Sequence, residues 1–312
     1  MKKYDVLTAF DLSVDFLVDL GESVPEFGQK EKLVPDYNLE MGGSACIFAC
    51  GCAKLGLSTT GVGSVGADSM GDFMRDTLKS QGVDIAHIRQ HENKTALTLC
   101  LTQQVDNKTD RAILTCMGAM DTIEPAWLEG LLAQTRHLHV CSYFLLKGLQ
   151  AAYPRLLAKA KELGVTISLD TNWDPEETWD SGIGEILPFV DIFLPNEQEL
   201  MHITKINNVQ DALETLGKTV PIIAVKCGEQ GAYAYCKGEI FRSQALPSKV
   251  LDTVGAGDSF NAGFIHGYLN QYNMTQCLQI GTICGSLNTR FAGGIKGQPN
   301  LAELNTHLST KA

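Results

Sequence analysis

Residues 252–264 read DTVGAGDSFNAGF, two aspartates around three very small residues with an apolar, helix-like run directly behind. Small residues let a backbone pass close to a ligand. Successive N–H groups at a helix start converge on an anion, helped by the positive end of the helix dipole. Asp258, behind Gly255, Ala256 and Gly257, falls in the first turn of that helix. A carboxylate there can simply complement the dipole or cap the terminus. It can also accept a hydroxyl proton while the N–H groups hold the charge on a transferring phosphoryl group. Local features leave both readings open.

These residues need a frame. Short apolar runs that predict strands lie at Tyr4–Phe10, Ser58–Gly63, His137–Cys141, Val165–Asp170, Asp191–Leu194 and Ile222–Lys226. Helical patterns fall between them at Ser44–Leu55, Ser69–Ser80, Leu149–Leu163 and Val209–Leu216, the last stopped by Gly217. Runs such as VTISLD and PIIAVK are apolar throughout, as strands covered on both faces must be. The alternation predicts a three-layer α/β/α domain with a central, mostly parallel sheet, one domain over 1–312. Two regions break the rhythm: 11–40 is turn-rich, and TALTLCLTQQ, a polar VDNKTD turn and RAILTC form a hairpin pattern. Parts of 11–40 and 95–117 are therefore expected to build a small β-flap that closes over a substrate.

The composition narrows the function classes. The chain has 312 residues, is 44% hydrophobic and 20% charged, and carries a formal net charge of −11. Without a basic footprint, nucleic-acid binding is not expected. No segment is long and apolar enough to span a bilayer, and the start lacks an apolar signal core, so a cytoplasmic protein is expected. The 10 cysteines are scattered without zinc spacing and read as small buried residues in a reducing compartment. GVGSVG at 61–66 has the form of a dinucleotide-binding fingerprint. That motif is loose, and it leaves 252–258 unexplained.

DTVGAGDSFNAGF resembles the C-terminal signature of the ribokinase-like, PfkB-type carbohydrate kinases. MGGSACIFACGCAKLG (41–56), GSVGADSMG (63–71), PNEQEL (195–200) and VKCGEQGAY (225–233) resemble further segments of that family, in its order. The resemblance implies an ATP- and Mg²⁺-dependent kinase acting on a hydroxyl of a small sugar or polyol. Asp258 matches the catalytic base, and Gly255, Ala256 and Gly257 match the anion hole. Asn196 and Glu199 match residues that organise Mg²⁺, largely through water, although Asn-x-x-Glu is also a capping-box variant. Lys226, Gly228 and Gly231 match the nucleotide loop; Lys226 also reads as a plain strand-end lysine. Asp252 and the Val254 carbonyl match positions that bind an activating monovalent cation such as K⁺ in some members.

The acceptor side departs from the family pattern. Ser13 and Asp15 stand where the family often has Asn-x-Asp, beside the glycine pair Gly42 and Gly43. Ile47 stands where an asparagine usually faces the sugar, and it cannot hydrogen-bond a hydroxyl. DTNWDPEETW (170–179) resembles a fructokinase-like and ketodeoxygluconate-kinase-like stretch, with Asn172 kept and Asp174 in an arginine's place. An aspartate there would repel acidic acceptors, so a neutral sugar or polyol is expected. Trp173 and Trp179 read as pocket or core aromatics, Tyr143 as pocket lining, and His139 as core. A nucleoside kinase of the same fold, or a weakly catalytic sugar-binding regulatory protein, are the alternatives. Flap strands often pair between subunits to hide their edges, which is compatible with a homodimer through the flap.

Overall fold

Continuous apolar runs give strands that need cover on both faces, and the chain supplies helices for each. The protein is described by a computed structural model covering residues 2–105, 108–247 and 249–309. In chain order the strands are β1 (Tyr4–Ala9), β2 (Ser13–Asp19), β3 (Asp36–Met41), β4 (Thr59–Gly66), β5 (Ile88–His91), β6 (Ala96–Val105), β7 (Lys108–Cys116), β8 (Thr135–Val140), β9 (Thr166–Leu169), β10 (Ile192–Phe193), β11 (Ile222–Lys226), β12 (Ala232–Cys236) and β13 (Glu239–Ser243). Among the described residues they form a nine-stranded sheet, β13-β12-β11-β10-β9-β8-β1-β4-β5, and a four-stranded sheet, β3-β2-β6-β7. The large sheet is parallel from β11 to β5, and β12 and β13 turn antiparallel at one edge.

Side-chain alternation splits the core in two. Leu7, Phe193, Ile223 and Val225 pack with Leu128, Leu156 and Leu213 from helices Pro125–Leu132, Tyr153–Glu162 and Val209–Leu216. Val6, Ile192, Leu194 and Ala224 face the other way, onto Phe48, Phe264 and Leu278 from helices Ser44–Lys54, Ala256–Leu269 and Met274–Asn288.

Two sequence expectations change in detail, and the motif that the sequence set aside is located. The helix expected over Leu149–Leu163 is broken into Lys147–Gln150 and Tyr153–Glu162. Pro154 lies in the first turn of the second piece, where its missing N–H and fixed φ do least harm. Gly217 does end Val209–Leu216, but with an ordinary helical φ of −62°. It is needed there for space, because a Cβ would stand 2.2 Å from the Tyr235 ring. GVGSVG lies inside β4 rather than on a strand-to-helix turn, so it cannot cradle a dinucleotide. The ring of Phe10 covers Gly61 at 2.6 Å from where a Cβ would sit.

Asp68, from the GSVGADSMG segment, caps helix Ser69–Ser80 through the Gly71 N–H at 2.8 Å. The same carboxylate accepts from the Thr95 N–H and hydroxyl at 2.9 and 2.7 Å, tying the root of β6 to the main sheet. The expected hairpin forms β6 and β7, paired antiparallel. Its VDNKTD turn includes residues 106–107, which lie outside the described residues.

Register assigns the faces of the small sheet. Glu40, Asp15, Thr98 and Thr115 form one row across it, and Asn38, Leu17, Cys100 and Ile113 form the next on the same face. Thr102 and Arg111 extend that face toward the hairpin end. The opposite face carries Leu39, Phe16, Leu99 and Leu114, with Tyr37, Val18 and Leu101 alongside. Every cysteine is a free thiol, and only Cys116 is exposed. No helix among the described residues is long and apolar enough to cross a membrane.

Candidate active site

Parallel sheets bind ligands beyond the carboxyl ends of their strands, and here those ends carry the polar residues. Asp11 follows β1, Asp170 follows β9, Asn196 follows β10, and Lys226 ends β11. A cavity of about 740 Å³ opens there, lined by Asp170, Asn196, Glu199, Lys226, Gly257 and Asp258, among others. Gly228, Gly231 and Ala256 also line it, and so do Asn172 and Ser44.

Its floor is the start of helix Ala256–Leu269. Gly255 caps that helix with φ +69°, a left-handed backbone that favours glycine. A Cβ there would stand 2.7 Å from Gly294 and 2.9 Å from Ile47 Cγ2, so space also demands glycine. Among the described residues, the N–H groups of Gly257 and Asp258 have no hydrogen-bond acceptor. They are unmatched donors at the positive end of a buried helix. Asp258 is itself buried. Burial first, then the Asp170 charge, pushes its carboxyl well above the usual range; Lys226 and the Ser44 hydroxyl act the other way. A carboxyl raised in this way is the stronger base once ionised.

Lys226 and Asp170 form a buried ion pair, Nζ to Oδ2 2.7 Å. Asn261 from the same helix also donates to Asp170 Oδ2. Burial alone would lower the Lys226 pKa, but Asp170 and Glu199 outweigh it and raise it. The ammonium lies 3.5 Å from where a Cβ on Gly257 would stand, so it sits against the glycine turn. Asn196 and Glu199 do form the capping box: Asn196 Oδ1 accepts the Glu199 N–H at 2.9 Å, and Glu199 Oε2 accepts the Asn196 N–H at 2.8 Å. The box and the cavity wall are the same residues. Burial, then Asp170, raises the Glu199 carboxyl to about 7.

The residues expected to meet an acceptor centre on two aspartates. Asp11 was not marked by the sequence, yet it caps helix Ser44–Lys54 through the N–H groups of Ser44 and Ala45 at 2.9 and 3.0 Å. Gly43, at φ +83°, lets the chain pass Asp11, whose carbonyl would be 2.3 Å from a Cβ. Asp15 lies against Gly42, where a Cβ would meet its Oδ1 at 2.1 Å. The glycine pair therefore exists to seat two carboxylates. Burial, then the charges of Asp11 and Glu40, raises the Asp15 carboxyl to about 7. Ser13 is buried beside it, and its carbonyl accepts the Gly42 N–H. Asn172 joins the two halves by donating to the hydroxyls of Ser44 and Ser142 at 2.8 and 2.9 Å.

Packing corrects the expectations for Ile47, Asp174 and Tyr143 and agrees with the core reading of His139. Ile47 is 3% exposed and wedged against Gly255 and Gly294, so it supports the glycine turn from behind instead of facing a sugar. Asp174 is equally enclosed: its carboxylate accepts from the N–H groups of Glu176, Thr178 and Trp179 and from the Thr178 hydroxyl. It closes its own loop and, at 2% exposure, has no open face left for a ligand. The Asp252 carboxylate is engaged by Arg111 at 2.8 Å and by the N–H groups of Val254 and Gly293. The Val254 carbonyl accepts from Asn288. A monovalent ion at these two oxygens would have to compete with these donors. His139 stacks on Phe48 in the core, and Tyr143 is buried with its hydroxyl on the Ser181 carbonyl. Trp179 is buried and stacks on His202, while Trp173 is 47% exposed.

Asp170 and Asn261, like Asp11, are residues of the candidate site that the sequence expectations did not include. The signal for Asp170 was present, a carboxylate at the end of a predicted parallel strand, where such sheets place ligands. Among the described residues no group of three or more His, Cys, Asp or Glu could hold a metal directly. An amide and a carboxylate in a cavity wall suit Mg²⁺, which keeps several waters.

A pfkB family carbohydrate kinase model matches residues 8–301 of the chain. An ATP-dependent ribose-1-phosphate kinase of Halopiger xanaduensis is 30% identical over 86% of this chain and 87% of its own. A 2-dehydro-3-deoxygluconokinase of Bacillus subtilis is 27% identical, covering 94% and 95%. An Arabidopsis thaliana ribokinase solved with ribose and ATP superposes with a TM-score of 0.83 at 21% identity, over 98% of each chain. The last comparison shows a shared fold.

Proposed function

The chain belongs to the pfkB family of carbohydrate kinases, and from that premise we propose that it transfers the γ-phosphoryl group of ATP to a hydroxyl of a neutral sugar or polyol. One observation carries the reading: a buried carboxylate, Asp258, stands beside unmatched N–H donors at a helix start, in one cavity with Lys226, Asn196 and Glu199. The acceptor hydroxyl gives its proton to Asp258 as its oxygen attacks phosphorus in line. The bond from phosphorus to the β–γ bridging oxygen breaks, and ADP leaves. The Gly257 and Asp258 N–H groups meet the charge on the transferring group. Lys226 offers a cation to the phosphates. Asn196 and Glu199 would hold the water shell of Mg²⁺, which supplies neutralisation of phosphate charge when bound. The adenosine end fits the rest of the cavity, along Leu246, Pro247 and Val250. The small sheet, as a lid, covers the acceptor and keeps water from the phosphoryl group.

The charges favour a neutral acceptor even though Asp174 does not contribute. Asp11, Asp15 and Glu40 crowd this side, while Arg111 is held by Asp252 and Lys296 by Glu40 at 2.5 Å. An acidic or phosphorylated acceptor would add charge where no cation is free among these. The test is ADP release from Mg-ATP with pentoses, hexoses, ketoses, polyols, inositols, nucleosides, sugar acids and sugar phosphates. Stimulation by a neutral sugar or polyol is the expected result. Stimulation by a nucleoside alone, or by an acid or a phosphate alone, overturns the acceptor class. ATP binding with no stimulated release favours a binding protein.

The outer face of the small sheet supports a homodimer. Tyr37, Leu114 and Leu39 are 65%, 62% and 43% exposed on a face shared with Phe16, Val18 and Leu99. Contiguous apolar faces of this kind mark interaction sites. Sedimentation should show a dimer, and Leu114→Lys should shift it toward monomer; a monomeric wild type at micromolar concentration refutes the proposal.

A further inference from the structure

Two ion pairs run from the inner face of the small sheet to the chain around the glycine turn. Arg111 Nη2 on edge strand β7 reaches Asp252 Oδ1 at 2.8 Å, and Glu40 Oε1 on edge strand β3 meets Lys296 Nζ at 2.5 Å. They grip one unit, because the Gly293 N–H donates to Asp252 Oδ2 at 3.0 Å. The two pairs differ in quality. In the second, Glu40 is 12% exposed but the Lys296 side chain is 56% exposed, so solvent screens that pair the more. The side chains of Arg111 and Asp252 are 29% and 11% exposed, and Asp252 also accepts the Val254 N–H at 3.1 Å. Asp252 is thus the hub of the turn that leads, three residues on, into Gly255 and the unmatched donors.

We infer that Arg111 is a positioning residue for phosphoryl transfer: its ion pair with Asp252 makes seating of the small sheet and ordering of the 252–257 turn one event. The inference rests on the reading of that turn as the phosphoryl site and adds a link to it. Without Arg111, the sheet loses its better anchor at the hairpin end, and Asp252 loses the donor that ties the turn to the small sheet, leaving the Gly293 N–H and the Asn288 amide to hold it from the large domain alone. The turn then samples positions in which its N–H groups miss the transferring group. Misplacement by about 1 Å costs rate on the order of 10²-fold. An imperfectly seated sheet also admits water.

Three measurements on the full chain test this. Arg111→Gln and Asp252→Asn should each lower acceptor-dependent kcat by about 10- to 10²-fold, with little change in KM for ATP. The double variant should fall no further, since the two act as one pair. The ratio of acceptor-independent to acceptor-dependent ADP release should rise in all three, which a purely structural loss would not produce. Amide hydrogen exchange, read without turnover, should quicken in both 111–116 and 252–257 when either residue is changed. Additive kinetic losses, an unchanged hydrolysis ratio, or faster exchange in only one segment overturns the inference. Absence of stimulated ADP release from the wild type refutes the kinase reading instead, and the exchange result still decides whether the link exists. Arg111→Lys should restore part of the rate, because a lysine keeps the charge but not the forked donor geometry.

Discussion

Asp258→Asn is expected to lower kcat by ~10²–10⁴, with little change in the affinity for ATP. The amide keeps the shape of the carboxylate but cannot take the acceptor's proton. The helix start that would hold the phosphates is untouched. Stability should move the other way. The folded Asp258 carboxyl is raised by burial, then by Asp170. A raised carboxyl stabilises the fold fully below its unfolded pKa of about 3.9, and that contribution is lost as pH rises through the folded value. Asparagine carries no such penalty, so the variant should gain on the wild type as pH rises. Thermal unfolding at pH 5 and pH 8 beside steady-state kinetics checks both halves. Near-normal turnover would sink the mechanism. A variant that melts lower at pH 8 would sink the account of the buried charge.

Lys226→Met is expected to destabilise the protein by ~3–5 kcal/mol near neutral pH, the usual penalty for leaving one member of a buried ion pair alone. Asp170 would be left buried beside the raised carboxyls of Glu199 and Asp258, with Asn261 as its remaining side-chain donor. In the wild type, burial works to raise the Asp170 carboxyl, but the Lys226 ammonium, with His139 and Asn261, holds it below the usual range. Its stabilising contribution is therefore present above the unfolded pKa and lost as pH falls through the folded one. In the variant that contribution is gone, so the deficit should shrink in acid. Adding Asp170→Asn should recover most of the stability, since the uncompensated charge is gone, while leaving activity low. Urea midpoints for the wild type, single and double variants give the comparison. A single variant as stable as the wild type would mean that the pair does not hold the cavity floor.

Some of the candidate site is legible in the sequence because its chemistry is local there. Gly255, Ala256, Gly257 and Asp258 are consecutive, and a helix start is built by neighbours. Asn196 and Glu199 sit three apart, a spacing that one helix turn satisfies by itself. Strand alternation with helical patterns fixed the α/β class, because buried parallel strands require continuous apolar runs.

Whatever depended on distant partners was out of reach. Asp170 pairs with Lys226 across 56 residues, and Arg111 with Asp252 across 141. No periodicity reports such a meeting; it follows from strand order and from how the small sheet lies on the large one. The same holds for the residues misread. Asp174 has the right type for a substrate contact, but a loop that turns back on itself consumes its carboxylate. Ile47 has the right place in the motif, but the close approach of Gly255 and Gly294 buries it. Sequence determined which residue types were available and the local frame that presents them. Tertiary packing decided which of them still have a free face, because burial and hydrogen bonding exhaust a side chain's capacity before any substrate arrives.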